Sequence, residues 1–170
     1  MIILGLGSNL PSSFGDRFHN IDLAVKYLEN SNITILKKSS YYETFSYPNI
    51  DDPKFINIVI LIETKLTPEN LAKLILKIEE KLERIRKNKN APRTCDIDII
   101  DFDNKIFNFK YKNLDFMVPH EKLESRNFVL FPLKEVSPNW KHPKNNSTID
   151  ELINNLPTNV KNSILIVKKS

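Results

Sequence analysis

The sequence has little glycine and almost no cysteine. Among its 170 residues are three glycines and one cysteine, Cys95. Three glycines exclude the GxxxxGK[ST] phosphate loop, and Gly5-Leu6-Gly7 is not followed by the third glycine of a dinucleotide fingerprint. A single cysteine cannot form an internal disulfide, so nothing in the composition requires an oxidising compartment. A nucleotide bound by this chain would therefore have to be held by side chains and metals.

Long apolar runs and a strong net charge are also missing. No run approaches the roughly 18 apolar residues of a membrane span, and the apolar start of the chain is too short for a signal peptide. The 25 basic and 21 acidic residues leave a formal net charge of +4, which is too small to indicate a nucleic-acid binder without a clustered patch. We expect a cytoplasmic, monomeric protein with one domain over 1–170 that needs neither nucleic acid nor membrane.

Apolar periodicity predicts the element order β, α, β, β, α, β. Thr67 is a suitable N-cap with Pro68 at the first helical position of the second helix. This order is the ferredoxin-like α+β pattern, in which two helices cover one face of an antiparallel sheet. A C-terminal extension follows, with short strands, loops and a helix near Thr148–Asn155. The predicted core strands are 1–6, 33–44, 55–63 and 96–102, and the predicted helices are 16–30 and 67–85.

A pair of carboxylates lies on the last core strand. Asp96 and Asp98 are two residues apart, so both project to one side while Ile97 and Ile99 point into the core. Paired carboxylates suit hard cations such as Mg²⁺, which serve phosphoryl transfer. The same pattern is also typical of an edge strand whose polar face is simply solvated.

Arginine is scarce, and most of it lies near this pair. The chain has five arginines among its 25 basic residues, so 20 are lysine. Arg84, Arg86 and Arg93 precede the carboxylates, and Arg126 lies downstream. An arginine offers a planar fork for phosphate oxygens that lysine cannot copy. A salt-bridged arginine–aspartate cluster without a ligand is the alternative, and Arg17 is interpreted as an ordinary surface residue.

Two further side chains have chemistry that suits a bound ligand. Asn57 shares a strand face with Phe55, and its amide could pair with the edge of a base or pterin while an aromatic ring stacks nearby. An asparagine satisfied by neighbouring backbone is the alternative. His120 could donate a hydrogen bond to a phosphate, and its spacing to the other two histidines does not indicate a metal site.

Six segments of the chain have a distinctive combination of residues. They are GLGSNL at 5–10, YET at 42–44, FIN at 55–57, PRTCDIDI at 92–99, VPH at 118–120 and RNFVLFPL at 126–133. Together these segments resemble the 6-hydroxymethyl-7,8-dihydropterin pyrophosphokinase family of the folate pathway. The resemblance covers residues 1 to about 142, in order, and the tail 143–170 carries no motif.

The resemblance implies transfer of a pyrophosphoryl group from MgATP to the hydroxymethyl oxygen of 6-hydroxymethyl-7,8-dihydropterin, with release of AMP. It implies that Asp96 and Asp98 bind two Mg²⁺ ions and that Arg84, on a closing loop, and Arg93 join them in catalysis. The implied ATP-binding residues are Glu79, Arg84, Arg93, Ile99, His120 and Arg126. The implied pterin-binding residues are Thr44, Phe45, Tyr47, Phe55, Asn57 and Phe128.

The chain departs from the family pattern at two places. Family members usually have an aromatic residue, most often Trp, just before the Gly-Pro-Arg of the third loop, and residues 88–91 here are Asn-Lys-Asn-Ala. A tyrosine commonly follows the motif histidine, and Glu121 stands there in this chain.

The alternative function is a ferredoxin-like RNA-binding module without catalytic activity. Such a module binds RNA on its sheet through stacked aromatic side chains. The sequence has no aromatic run of that type, and the paired acids would repel phosphates without a metal. An inactive family member is a third reading, which the intact carboxylate pair argues against.

Overall fold

The computed structural model describes residues 1–86 and 90–169, which fold as a sheet with helices on both faces. The core elements are β1 (Ile2–Ser8), α1 (Arg17–Glu29), β2 (Thr34–Lys38), β3 (Tyr41–Thr44), β4 (Phe55–Glu63), α2 (Pro68–Lys81) and β5 (Asp96–Phe102). The remaining elements are β6 (Phe107–Tyr111), β7 (Leu114–Val118), α3 (Asn127–Val136), α4 (Ile149–Asn155), α5 (Thr158–Lys161) and β8 (Ile164–Val167).

The main sheet has the strand order β5-β1-β4-β3-β8, and β2 also pairs with β4. Every pairing in it is antiparallel. The four even-numbered isoleucines of β4 pack with α1 and α2 on one face, as their alternation predicts. These residues are Ile56, Ile58, Ile60 and Ile62, each at most 1% exposed. The predicted ferredoxin-like α+β fold is therefore confirmed.

The C-terminal extension covers half of the second face, which the sequence did not predict. Helices α3 and α4 pack on Ile3, Val59 and Ile100, which form a second buried core. No helical period predicts α3, because its apolar residues are nearly continuous and Pro132 lies inside it. The end of this face where β1 finishes and β4 and β5 begin lies outside this second core.

Three predicted boundaries are wrong. Strand β1 extends to Ser8, so Gly7 lies in the sheet and not in the loop after it. The single strand predicted over 33–44 is two strands, because the Ser39 hydroxyl accepts the Val59 N–H at 3.0 Å and interrupts the ladder. Helix α2 ends at Lys81 because Glu83 adopts a left-handed conformation (φ 64°). Ile85, predicted to continue its apolar stripe, is 67% exposed.

One prediction from the later part of the chain can be compared with the structure. The helix expected near Thr148–Asn155 is confirmed as α4, with Thr148 and Glu151 forming a capping box. Of the basic loop over 86–92, where the family aromatic is missing, residues 87–89 lie outside the described residues. No helix in the described ranges is both long and apolar enough to cross a membrane.

Candidate active site

The end of the second face that lies outside this core has polar and ionisable side chains on two strands, β4 and β5, with glycines of β1 between them. In the sheet register Gly7 pairs with Asn57 on one side and with Asp96 on the other. One pair further in, Gly5 lies between Val59 and Asp98. Residues paired across strands share a face, so both carboxylates and the amide face the same space. Asn57 and Asp96 are two strand spacings apart, about 10 Å between Cα atoms.

Two of the three glycines form the floor between these side chains. A Cβ on Gly7 would lie 3.1 Å from Asn57 Oδ1 and 3.5 Å from the Phe55 ring. A Cβ on Gly5 would meet only Ile100, at 3.4 Å or more. The missing side chain at Gly7 therefore lets the Asn57 amide and the Phe55 ring approach the strand. We call the region over Gly7, between this amide and the carboxylates, the trough.

Three arginines contact the carboxylate pair. Asp96 is bound by the guanidinium of Arg84 and by Arg93 Nε, the latter at 2.8 Å. Asp98 is bound by Arg126 Nη1 at 3.1 Å. The structure thus brings together residues that are 42 positions apart in the sequence (Arg84 to Arg126) and concentrates positive charge around two half-buried carboxylates. This arrangement can hold a polyanion beside a cation.

The two carboxylates experience different electrostatic environments. Burial pushes the pKa of Asp96 upward, but the Arg84 and Arg93 charges outweigh it and hold that pKa below its usual range. Burial and the neighbouring charge of Asp96 raise the pKa of Asp98. Asp96 is therefore the more firmly ionised member of the pair.

Glu79 connects the end of α2 to β5. Its side chain is 1% exposed and accepts hydrogen bonds from Arg84, from Arg86 Nη2 at 2.6 Å and from the Ile97 N–H at 2.8 Å. Burial raises the pKa of Glu79, and the two arginines oppose that rise. Glu79 therefore positions Arg84 and Arg86 at the edge of the carboxylate pair.

The amide end of the trough has a second group of side chains. Asn57 Nδ2 donates to Thr44 Oγ1 at 3.1 Å and more weakly to the Tyr42 carbonyl at 3.4 Å, while its Oδ1 faces the space above Gly7. The Arg93 guanidinium lies over the Phe55 ring at 5.1 Å from the centroid. Asn57 is thus satisfied as a donor by its neighbours, as the alternative interpretation held, and its carbonyl oxygen faces the trough.

Phe128 lies under the Arg126 guanidinium, 5.4 Å from Cζ to the ring centroid. The other two aromatic residues predicted for the pterin end lie on the surface of the loop before β4. Phe45 is 53% exposed under Lys54 Nζ, and Tyr47 is 79% exposed. Their contact with a ligand remains a prediction.

A cleft of about 210 Å³ continues from the carboxylates away from the trough. Its polar wall includes Glu79, Arg84, Arg86 and His120, and Ile99 also lines it. Its apolar wall comes from α2 and from β7, with Ile75, Leu76, Leu114, Phe116 and Met117. The sequence offered no signal for β7, because only the folded hairpin β6-β7 brings that strand to the cleft.

His120 lies at the mouth of this cleft. Its Nδ1 accepts the Lys122 N–H at 3.0 Å, so Nε2 is the nitrogen left to carry a proton. Burial lowers the pKa of His120, which the charge of Asp98 partly opposes. His120 is therefore a neutral hydrogen-bond donor near pH 7.

Asn9 is a functional candidate that sequence reasoning missed. Its Oδ1 accepts the Arg93 N–H at 2.7 Å, and its Nδ2 donates to Ser46 Oγ at 3.2 Å and to the Pro53 carbonyl at 3.0 Å. Asn9 is 1% exposed and joins the loop over 45–54 to the segment that carries Arg93. A buried asparagine directly after a glycine-containing strand was the available signal.

The residues fit magnesium better than a metal that needs an all-protein cage. Within 1–86 and 90–169 no cluster of three or more His, Cys, Asp or Glu side chains has the geometry of a metal site. Mg²⁺ binds through one or two carboxylates and keeps waters and substrate phosphates as its other ligands. Asp96 and Asp98 supply that donor set.

An antiparallel α+β sheet with paired carboxylates, four arginines and an adjoining cleft is an arrangement typical of proteins that bind phosphorylated ligands together with a cation. Residues 3–138 match the family model described as 7,8-dihydro-6-hydroxymethylpterin-pyrophosphokinase (HPPK). The chain belongs to this family, which confirms the resemblance stated from its motifs. The family uses ATP and magnesium.

Named relatives agree with the family match. The chain is 36% identical over 142 residues to the 2-amino-4-hydroxy-6-hydroxymethyldihydropteridine pyrophosphokinase of Aquifex aeolicus, covering 84% of this chain and 83% of the relative. It is 34% identical over 156 residues to the folic acid synthesis protein fol1 of Schizosaccharomyces pombe. That alignment covers 91% of this chain but 20% of the relative, so the chain spans about a fifth of that protein's length.

Solved structures show the same fold. A crystal structure of Plasmodium falciparum HPPK-DHPS with pteroate matches with a TM-score of 0.70 at 17% identity. The match covers 90% of this chain and 42% of that chain. The comparisons favour the pyrophosphokinase over the RNA-binding module.

Proposed function

We propose that this chain transfers the terminal pyrophosphoryl group of MgATP to the hydroxymethyl oxygen of 6-hydroxymethyl-7,8-dihydropterin and releases AMP. The observation that best supports this proposal is the register row Asn57–Gly7–Asp96. It has an amide that could pair with a heterocycle on one side of Gly7 and a carboxylate that could bind a cation on the other. A flat ring over Gly7 would direct its hydroxymethyl substituent toward the carboxylates.

Asp96 and Asp98 are the residues that would hold magnesium, and we propose two ions there. When bound, magnesium neutralises phosphate charge and acidifies the acceptor hydroxyl. In the transfer the hydroxymethyl oxygen bonds to the β-phosphorus as the bond from that phosphorus to the α,β-bridging oxygen breaks. The hydroxyl proton leaves to water, and AMP departs with the bridging oxygen.

The cleft beyond the carboxylates is the proposed ATP site. Its apolar wall of Leu76, Leu114 and Met117 suits a purine ring, and its polar wall suits the phosphates. Arg84, Arg93 and Arg126 already surround the carboxylates and would each exchange part of that contact for phosphate oxygens. Neutral His120 would donate a hydrogen bond there, and Glu79 would position Arg84.

The trough is the proposed pterin site. Asn57 Oδ1 would accept from an N–H of the pterin edge, with Thr44 fixing the amide's orientation through its hydrogen bond. Phe55 and Phe128 would frame the ring faces. Another hydroxyl compound would react poorly, because only a ring that fills this trough would hold its hydroxyl oxygen close to the phosphorus.

The direct test is incubation with MgATP and 6-hydroxymethyl-7,8-dihydropterin, with nucleotides separated by chromatography. We expect AMP in equal amount to the pterin diphosphate. Formation of ADP, or no turnover by a folded protein, would overturn the proposal.

Asp98→Asn should lose at least about 100-fold in kcat, since it removes one anionic ligand. Asp150→Asn, an exposed aspartate of α4 paired with Lys134, is the matched control and should keep the wild-type rate.

Two further experiments test the finer proposals. A monomer without nucleic-acid affinity should elute at the size of one chain and bind oligonucleotides weakly. A steep loss of oligonucleotide binding with rising salt would instead support the RNA-binding module.

A further inference from the structure

The tail of the chain is attached to the site end of the sheet. The family match ends at residue 138, whereas α5 and β8 lie over 158–167. Strand β8 adds to the sheet beside β3, and its register pairs Thr44 with Ile164 and Tyr41 with Val167. The strand that carries Thr44 is therefore internal to the sheet because the tail covers its edge.

The tail has a second attachment at the start of α3. Asn127 Nδ2 donates to the Val160 carbonyl at 2.7 Å and to Ser163 Oγ at 3.1 Å. The Ser163 hydroxyl in turn donates to the same carbonyl at 2.9 Å. Asn127 is 5% exposed, so its amide has few partners other than these.

Asn127 lies between two residues of the proposed site. Arg126, before it, binds Asp98, and Phe128, after it, lies under the Arg126 guanidinium. The N-cap residue of α3 is Arg126, and its side chain makes no capping hydrogen bond to the described residues of this helix. The first turn of this helix is thus fixed from the tail.

We propose that residues 158–167 clamp the pterin end of the site, with Asn127 as the positioning residue. The clamp joins β3, which ends at Thr44, to the first turn of α3, which presents Phe128. Thr44 is bonded to Asn57 at the amide end of the trough, and Phe128 lies under Arg126, which binds Asp98 at the carboxylate end. The clamp therefore ties the two ends together. The identity of the substrate in this inference rests on the proposed function, whereas the contacts of the clamp are independent of it.

The physical argument concerns local opening. A four-residue strand at a sheet edge frays easily, as does a helix turn without a cap. The tail supplies β3 with a second hydrogen-bonded neighbour and α3 with two bonds at its first residue. Loss of these bonds should loosen the walls of the trough. ATP binding should weaken much less, because α2, β5 and β7 line its cleft and because Asp98 holds Arg126 independently of the tail.

The test is Asn127→Asp, which keeps the shape and replaces the donor amide with a carboxylate facing a carbonyl. We expect KM for the pterin to rise about five- to tenfold, with Kd for MgATP within twofold of wild type. Asn70→Asp is the matched control, because it makes the same chemical change at an exposed position in the first turn of α2. Ser163→Ala, which leaves the Val160 acceptor in place, should raise the pterin KM about twofold and covers the case in which Asn127→Asp does not fold.

A second readout needs no substrate. Amide hydrogen exchange of Tyr42 to Thr44 and of Phe128 to Leu130 should speed up at least tenfold in Asn127→Asp, with β5 unchanged. Equal losses in pterin and ATP binding, or unchanged pterin KM and unchanged exchange, would overturn the clamp. If the wild-type chain does not turn over the pterin, the proposed function fails, whereas the exchange data still decide whether the tail fixes β3 and α3.

Discussion

Replacing Gly7 by alanine tests the trough at its narrowest point. The new Cβ would stand 3.1 Å from Asn57 Oδ1, so the amide would have to retreat by a few tenths of an ångström. That movement disturbs the 3.1 Å bond from Asn57 Nδ2 to Thr44, which contributes about 0.5–1.5 kcal/mol. Because Gly7 does not occupy the left-handed region, alanine also lowers the entropy of the unfolded chain and returns about 0.4–1 kcal/mol. We expect nearly unchanged stability.

Pterin binding should change far more than stability. A methyl group on the floor lifts the ring away from Asn57 and from the carboxylates. We expect KM for the pterin to rise at least about tenfold, which corresponds to about 1.4 kcal/mol, with Kd for MgATP nearly constant. AMP formation at saturating ATP and varied pterin gives KM, and thermal unfolding gives the stability.

Gly5→Ala is the matched control on the same strand face. Its Cβ makes ordinary contact with Ile100 at 3.4 Å and does not reach Asn57. We expect a pterin KM within about twofold of wild type. Wild-type pterin kinetics in Gly7→Ala, or equal losses in both variants, would refute the reasoning that the absent side chain creates the pterin site.

Three further predictions follow from other contacts. Arg93→Lys should lower kcat at least about tenfold, since a compact ammonium lacks the planar fork with which a guanidinium can bind Asp96 on one edge and phosphate on another; steady-state kinetics check it, and wild-type kcat would contradict it. Asn9→Ala should destabilise the fold by about 1–3 kcal/mol in denaturant titrations, because it leaves the Arg93 N–H unpaired; an unchanged midpoint would exclude this role. Although burial opposes it, bonds from Lys169 and Lys38 lower the pKa of Asp22 to about 2 from 3.8. The stabilisation from Asp22 should therefore be complete above about pH 5 and lost as the pH falls toward 2. The unfolding temperatures of wild type and Asp22→Asn should differ at pH 7 and converge near pH 2, and a gap that persists at pH 2 would contradict the assignment.

Much of the site was predictable because it is local in sequence. Asp96 and Asp98 face one side by the two-residue period of a strand, and Thr67 and Pro68 mark the start of α2 by their capping chemistry. Arg93 lies in the loop directly before β5, three residues from Asp96, so the contact between them is local in sequence. The scarcity of arginine and its clustering near the pair were visible without a structure.

Other residues could not be assigned from the sequence because their roles depend on long-range contacts. Arg17, interpreted as ordinary surface, binds the Lys54 carbonyl at 2.6 Å and Glu43 at 3.2 Å. The side chains of β7 line the cleft only because the β6-β7 hairpin folds beside it. The Asn9 side chain contacts two segments far from it in the chain, the loop over 45–54 and the segment of Arg93, and no periodicity encodes such contacts.

The scarcity of glycine is the feature whose meaning the structure changed most. The sequence by itself excluded a glycine-rich phosphate loop and put a carboxylate pair close to several arginines, because these are properties of composition and spacing. Only the tertiary structure decided that Gly7 lies between Asn57 and Asp96, and that the extension packs on Ile3, Val59 and Ile100 of the same face. Sheet register and helix docking are set by packing between distant segments, which the local pattern of residues does not specify.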